Sequence, residues 1–266
     1  MIKIAIPGSA GRMGGMLIRA IAAASDLELV AATDVPDSPF IGRDAGEVAQ
    51  IGANGVMIGS DPETLFGVAD VVIDFTSPAA SLHHASLAAA KGTAMVIGTT
   101  GLDAEDEAAL KALAKDNRII YCANTSVGVT LLTQLVEEVA AKLNDGWDIE
   151  ILETHHHHKV DAPSGTALAL GKAAAKGRGV ALDDVADMVR KGQTGARKPG
   201  DIGFAVLRGG DVAGEHSVIF YGDAERVEIS HRATDRAIFA RGAIRAARFA
   251  ATASSGFYDM TDVLKG

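Results

Sequence analysis

Two stretches of this chain hold residue types that do chemistry. The denser is Glu153-Thr-His-His-His-His-Lys-Val-Asp-Ala-Pro-Ser-Gly-Thr-Ala167. It crowds imidazoles able to exchange protons near neutral pH and one compact cation, Lys159, against the start of a helix. Ser164-Gly165-Thr166 follows Pro163 and opens an alanine-rich run, so free backbone N–H groups and two hydroxyls converge where a carboxylate or phosphate can sit. A cation, a helix N-terminus and a general acid together suit a small acidic substrate that is protonated as it reacts. Metal binding is a rival reading of the histidines. Adjacent residues of an extended chain face opposite ways, so at most two of the four could share an ion, and no H-E-x-x-H spacing accompanies them. No metal is expected. The remaining histidines, His157 and His158, read as solvated loop residues.

The second stretch is Gly8-x-x-Gly11-x-x-Gly14, placed between an apolar strand and a helical run. Glycines there allow a sharp turn and let a pyrophosphate approach the backbone at a helix N-terminus. Such turns are common, so the loop alone is weak. Asp34 strengthens it, because it lies twenty residues beyond Gly14, at the end of the second strand, where an acid accepts hydrogen bonds from ribose hydroxyls. The plainer reading of Asp34 is a turn or cap residue. With the loop and the strand order, it points to a nicotinamide dinucleotide. An acid at this position repels a 2′-phosphate, so NADH is the expected coenzyme, with NADPH possible if Arg12 offsets the repulsion. Gly98-Thr99-Thr100-Gly101 ends a later strand and reads as a second cofactor contact or as a plain turn.

The elements that carry these residues follow from periodicity. Strands are expected at Met1–Ile6, Leu27–Thr33, Val71–Phe75, Met95–Gly98 and Arg118–Cys122. Helices are expected between them, including Pro78–Lys91 with Ser77 as its cap and Asp103–Asp116. Short unbroken apolar strands alternating with helices argue for a parallel sheet covered on both faces. After residue 125 the pattern changes to a long helix, Val127–Leu143, a strand, Trp147–Thr154, and a helix from Ser164. Three strand-like runs follow, Ile202–Leu207, His216–Tyr221 and Arg226–His231, which read as an antiparallel meander. Thr234–Ser254 returns to helix, and a short tail closes the chain. Lys191–Asp201, rich in glycine and charge, is the candidate for a mobile lid.

Composition bounds the function. The chain has 266 residues, 48% hydrophobic and 22% charged, with a net charge of −9. An acidic chain with 5% aromatics has no generic grip on a phosphate backbone, so nucleic acid is not an expected partner. A single cysteine, Cys122, excludes an intrachain disulfide and a thiolate metal cage, which fits the cytoplasm. No apolar run reaches membrane-spanning length.

The histidine stretch closely resembles the signature E-x-H-H-x-x-K-x-D-A-P-S-G-T-A of the dihydrodipicolinate reductase family. The resemblance extends through G-x-x-G-R-M-G, V-I-D-F-T, V-I-G-T-T-G, A-N-x-S-V-G, P-G-D-I-G-F, G-E-H and the closing F-Y-D-M-T-D-V-L. It implies an α/β fold: a Rossmann-type parallel-sheet domain, residues 1–125 and 235–266, plus a smaller α+β domain, residues 126–234. The smaller domain would bind substrate and pair its open mixed sheet into a homotetramer. The implied reaction is NAD(P)H-dependent reduction of 4-hydroxy-tetrahydrodipicolinate, a small dicarboxylate, with loss of water. Hydride would reach ring C4, and protonation would come from His155 or Lys159.

The resemblance also assigns residues. His155 would be the acid–base group and Lys159 the proton donor and substrate cation. His156, Ser164, Gly165 and Thr166 would complete the substrate site. The cofactor positions would be Gly8, Ser9, Ala10, Gly11, Arg12, Met13, Asp34, Gly98, Thr99, Thr100, Cys122, Ala123, Asn124 and Thr125. Two positions depart from the family pattern. Val35 stands where members that use NADPH well often have Arg, and Thr125 replaces an aromatic near the nicotinamide. The sequence leaves three rival readings. A nucleotide-binding regulator leaves the His–Lys–Ser-Gly-Thr cluster unexplained; a different two-domain dehydrogenase would act on an aldehyde or sugar, and an acyl-forming one would have only Cys122 as nucleophile; a metal hydrolase would lose activity on chelation.

Overall fold

The computed structural model describes residues 1–143 and 146–266, which separate into two compact units, 1–127 with 237–266, and 128–236. In chain order, the first unit begins with β1 (Ile2–Pro7), α1 (Arg12–Ala22), β2 (Leu27–Thr33), α2 (Ala45–Val48) and β3 (Ile58–Gly59). It continues with β4 (Val71–Asp74), α3 (Pro78–Lys91), β5 (Ala94–Ile97), α4 (Ala104–Leu113) and β6 (Arg118–Tyr121). The second unit holds α5 (Val127–Lys142), which starts at the boundary, then β7 (Asp148–His155), α6 (Gly165–Gly177), α7 (Leu182–Val185) and β8 (Ala186–Asp187). Its last strands are β9 (Ile202–Arg208), β10 (Gly214–Gly222) and β11 (Glu225–Ala233). The chain then returns to the first unit with α8 (Ala237–Thr252), β12 (Gly256–Tyr258) and α9 (Met260–Lys265).

The first sheet runs β12-β6-β5-β4-β1-β2-β3 with every pairing parallel. Its central strands are mostly apolar because helices cover both faces, and Ile4, Ile6, Val71, Ile73, Val96 and Ile120 are fully buried. The strand order reverses between β1 and β4, which opens a crevice at their carboxyl ends where such sheets bind ligands. α3 is fixed by both signals read in the sequence: the Ser77 hydroxyl accepts from the Ala80 N–H, and Pro78 occupies the first turn. α8 presents Ala240, Ala243, Ala246, Ala247 and Ala250 to the core, small residues that let it lie close.

The second sheet runs β11-β10-β7-β9-β8 and is mixed, since β7 and β9 are parallel whereas β10 is antiparallel to β7 and β11. This corrects the expected three-strand meander. β10 and β11 form its hairpin, but Ile202–Arg208 lies on the far side of β7 and never pairs with β10. In the tail, to which the sequence assigns no element, Gly256–Tyr258 adds an edge strand beside β6. Along β7 burial alternates, with Ile149, Ile151, Glu153 and His155 inward. α5 and α6 cover that face through Leu132, Val136, Leu170 and Ala174. The outward residues of the same sheet include exposed Leu207 and Tyr221.

Candidate active site

The first unit supplies a cleft of about 590 Å³ at the carboxyl ends of β1 and β2, walled by Gly8, Ala10, Gly11, Asp34, Ser38, Phe40, Phe75, Thr76 and His84. Each loop glycine has its own reason. Gly8 adopts φ +64, and a Cβ there would approach Thr76 Cγ2 at 3.0 Å. A Cβ on Gly11 would stand 3.1 Å from the Gly8 carbonyl, and one on Gly14 would collide with the Gly8 and Ser9 carbonyls. The loop therefore presents bare backbone ahead of α1, a cradle whose form fits a dinucleotide pyrophosphate. Asp34 lies on the same cleft; its carboxylate accepts from the Val35 N–H (2.9 Å) and the Ser38 hydroxyl (2.9 Å).

The other expected cofactor residues divide by direction. Ser9 is buried below the loop, Arg12 is exposed on α1 and Met13 packs into the core. Gly98 follows β5, and a Cβ there would strike the Phe75 ring. Thr99 is buried and its hydroxyl accepts from Ser81 Oγ at 2.7 Å, whereas Thr100 is exposed. Cys122 is 7% exposed, and burial pushes its thiol up to about 12, so the side chain is a core residue rather than a nucleophile. Ala123 is exposed, and Asn124 Oδ1 accepts from the Ser126 N–H. The Thr125 hydroxyl donates to the Phe239 carbonyl at 2.8 Å, which commits this side chain to α8.

One feature of the cleft wall has no counterpart in the sequence reading. Asp74, fully buried at the end of β4, accepts from the Thr76 N–H (2.8 Å), the Thr76 hydroxyl (2.6 Å) and His84 Nδ1 (2.7 Å). The ring of His84, on α3, lines the cleft.

The second unit gathers the histidine stretch. Glu153 and His155 are two apart on β7 and therefore share its inward face. Glu153 is 1% exposed, yet its carboxylate is fully engaged. It accepts from His155 Nδ1 (2.6 Å), Arg208 Nη1 (2.7 Å), Arg208 Nη2 (2.9 Å) and the Ser164 N–H (2.9 Å). Burial pushes this carboxyl up, but Arg208, His155 and the Ser164 amide outweigh it and hold it below the ordinary glutamate range. Arg208 is raised in return by the same pairing.

Ser164 caps α6 by accepting from the Ala167 N–H (3.1 Å), and its hydroxyl meets His216 Nε2 at 3.0 Å. His216 is 4% exposed and stands edge-on to His155, with ring centroids 5.1 Å apart. Burial pushes it down to about 4, so it is a neutral hydrogen-bonding ring at physiological pH. Lys159 Nζ donates to both oxygens of Asp161, at 2.8 and 2.9 Å, so this cation is paired with a carboxylate of its own segment. His156 accepts from Arg236 Nη2 at 2.9 Å; burial first, then the Arg236 charge, lowers its proton affinity. Gly165 is exposed at the tip of α6, with open space where a Cβ would lie. Thr166 follows it in the first turn. His157 and His158 are exposed and meet in a tilted contact, with ring centroids 3.9 Å apart. Among the described residues no group of three or more His, Cys, Asp or Glu side chains could hold a metal.

Residues 191–196 are exposed, but the flanks of this segment are tied down. Arg190 pairs with Glu150 and Asp187, and Arg197 pairs with Glu150 and Asp148. No helix among the described residues is long and apolar enough to cross a membrane.

Glu153, Arg208, His216 and Arg236 were missed by sequence reasoning. Glu153 had a readable signal, since an acid two residues before a histidine on a strand shares its face. The arginines come from β9 and from the end of the unit, and only the sheet register brings Arg208 beside His155.

The comparisons with known proteins agree with one another. A family model described as "Dihydrodipicolinate reductase, N-terminus" matches residues 2–125, and "Dihydrodipicolinate reductase, C-terminus" matches residues 128–264. Proteins named 4-hydroxy-tetrahydrodipicolinate reductase are similar over nearly the full length. That of Ruegeria pomeroyi is 53% identical over 98% of this chain and 97% of its own. That of Rhizobium meliloti is 54% identical over 99% and 97%. Among solved structures, a dipicolinate-bound dihydrodipicolinate reductase from Paenisporosarcina sp. TG-14 superposes with TM-score 0.78 at 23% identity, covering 97% of both chains. An amine dehydrogenase from Mycobacterium smegmatis reaches TM-score 0.67 at 13% identity, over 96% of this chain and 94% of its own, so the fold is shared beyond this chemistry.

Proposed function

The chain belongs to the dihydrodipicolinate reductase family, and from that premise we propose how its residues divide the work of the reaction. The activity is NAD(P)H-dependent reduction of 4-hydroxy-tetrahydrodipicolinate in lysine biosynthesis. In balance, one hydride and one proton enter and the 4-hydroxyl leaves as water. The coenzyme, when bound, supplies the hydride.

In this reading the Gly8–Gly14 loop holds the pyrophosphate and Asp34 the adenosine ribose. The fit rests on the bare-backbone cradle and the cleft beside it. Lys159 exchanges Asp161 for a substrate carboxylate, and the N-terminus of α6, at Gly165 and Thr166, takes the other. His155 moves the proton. Hydride addition to the conjugated imine of the dehydrated ring builds negative charge, and an imidazolium or ammonium beside it removes that charge as it forms. A positioned acid of this kind contributes roughly 10²–10⁴-fold. The observation that carries this assignment is His155 held through Nδ1 by buried Glu153, with Ser164 of α6 on the same carboxylate.

Three finer statements belong to the same reading. NADH is preferred over NADPH, because Asp34 and Val35 offer a 2′-phosphate no cation. The outward face of the second sheet, with Leu152, Ala205, Leu207, Ile219 and Tyr221, pairs with other copies of the chain into a homotetramer, and the enzyme works in the cytoplasm. The test is a coupled assay with the fresh condensation product of pyruvate and aspartate semialdehyde, run with each coenzyme in turn. Turnover with a higher kcat/KM for NADH supports the reading. No turnover rejects it, and a reversed ratio rejects the coenzyme argument. Light scattering at four chain masses, lost on Leu207→Glu, supports the assembly.

A further inference from the structure

We propose that Glu153 is a positioning residue for the reaction: it fixes which nitrogen of His155 is offered to the substrate and ties that ring to the helix terminus that takes a substrate carboxylate. The proposal rests on the reading above for what His155 does, but not for how the ring is held.

An ionised carboxylate only accepts hydrogen bonds, so the 2.6 Å contact requires the proton on Nδ1 of His155. Nε2 is then the nitrogen left to give or take a proton. It points toward Gly214, where a Cβ would lie 3.0 Å away. The register explains the meeting: Glu215 pairs with Thr154 and Arg208 with His155, so Gly214 and Arg208 flank the ring from β10 and β9. A residue with a side chain at 214 would crowd the working nitrogen.

The other oxygen of Glu153 accepts the Ser164 amide at 2.9 Å, which anchors the first turn of α6 to the same carboxylate. Proton donor and carboxylate site thus share one buried anchor. Arg208 makes the anchor durable. Its two-pronged bond keeps Glu153 ionised while the imidazole gains or loses its proton, so the carboxylate neither competes for that proton nor stands uncompensated. Of the other titratable groups, His216 on β10 stands edge-on to the ring and His156 feels its charge, while Lys159 acts on His156 and His216.

The test compares Glu153→Gln and Glu153→Asp with the full-length wild type. Glu153→Gln keeps shape and loses charge. It should lower kcat roughly 10²-fold and leave the NADH dissociation constant within about threefold. The pH profile of kcat should move to lower pH, because the imidazolium loses its counter-charge. Glu153→Asp should recover part of kcat and of the profile. Nitrogen-15 spectra of the ring should show a protonated Nδ1 and a bare Nε2 in the wild type at alkaline pH, and a mixture of tautomers in Glu153→Gln. An unchanged kcat profile with an unchanged tautomer in Glu153→Gln overturns the proposal. Should that variant fail to fold, Glu153→Asp decides. Partial turnover with a shifted profile supports the assignment, and wild-type kcat and profile overturn it. Wild-type protein that binds NADH but never turns over the substrate sinks the reaction reading, and the ring spectra still judge Glu153.

Discussion

In each unit a buried carboxylate holds an imidazole through Nδ1, and the two pairs are built differently. Asp74 and His84 meet at 2.7 Å beside the glycine-loop cleft of the first unit, Glu153 and His155 at 2.6 Å in the second unit. Asp74 is completed by the amide and hydroxyl of Thr76, and no lysine or arginine bonds it among the described residues. Glu153 is completed by both prongs of Arg208 and the Ser164 amide. A carboxylate with its own guanidinium can lose its histidine partner without becoming an unpaired buried charge. A carboxylate served only by neutral donors and an imidazole cannot. The first pair is therefore suited to hold structure, and the second to move a proton without disturbing the fold.

That contrast is most directly broken by swapping each histidine for glutamine. His155→Gln should lower kcat about 10³-fold, the range of a lost general acid, while the unfolding free energy in urea stays within about 1 kcal/mol. A variant that loses several kcal/mol of stability along with its activity would show that Arg208 does not shelter Glu153.

Protonation offers a reversible version of the same challenge. His216 is depressed to about 4 in the folded chain, chiefly by burial, with His155 and His231 adding repulsion and Glu153 opposing it. The sign follows from linkage. Between about pH 6.5 and 4 the unfolded chain binds this proton and the folded chain does not, so stability falls as pH is lowered through that window. The loss should approach about 3 kcal/mol at pH 4 for the wild type and shrink in His216→Gln. Glu153, held below its ordinary range, adds a further loss only below about pH 4.5. Unfolding curves of both proteins from pH 7 to 4 separate the two, and parallel curves would contradict a neutral buried His216.

The counterpart in the first unit is His84→Gln. Asp74 then loses its imidazole and keeps only Thr76, so unfolding free energy should drop by about 2 kcal/mol. kcat at saturating coenzyme should change less than about threefold, the reverse of the His155 pattern. A large fall in kcat with unaltered stability would erase the distinction between the pairs.

Particular residues show what the sequence could and could not disclose. α3 was legible because Ser77 and Pro78 encode its start locally, and the parallel sheet because its short strands are mostly apolar and alternate with helices. β9 was misplaced because a strand's period does not say which neighbour it joins. Its partner, β7, lies some fifty residues earlier, and Ile202 pairs with Ile149. β3 and β8 are two residues each, too short for any period. At the site, His155 and Ser164 stood out by type and spacing. Thr125 did not betray its direction, since which way a loop hydroxyl turns is decided by the Phe239 carbonyl on a distant helix. His84 was hidden for the same reason: nothing local links a helix histidine to an acid at the end of the preceding strand.

The smallest expected effect sharpens the comparison from the exposed side of the first unit. Val35 follows Asp34 and is 65% exposed on the glycine-loop cleft, while both Asp34 oxygens are already engaged by the Val35 amide and Ser38. With the adenosine ribose at Asp34 as proposed, Val35→Arg would bring a guanidinium beside a 2′-phosphate, with the forked geometry that phosphate oxygens match. Such a pair sits in water and is screened by salt, so the NADPH-to-NADH ratio of kcat/KM should rise by only about tenfold, and by less at about 1 M ionic strength. An unchanged ratio at low salt would mean that the 2′ position does not face residue 35. A rise that persists in salt would mean that the charge is buried, and the first unit would then tune charge in the interior, as the second does at Glu153.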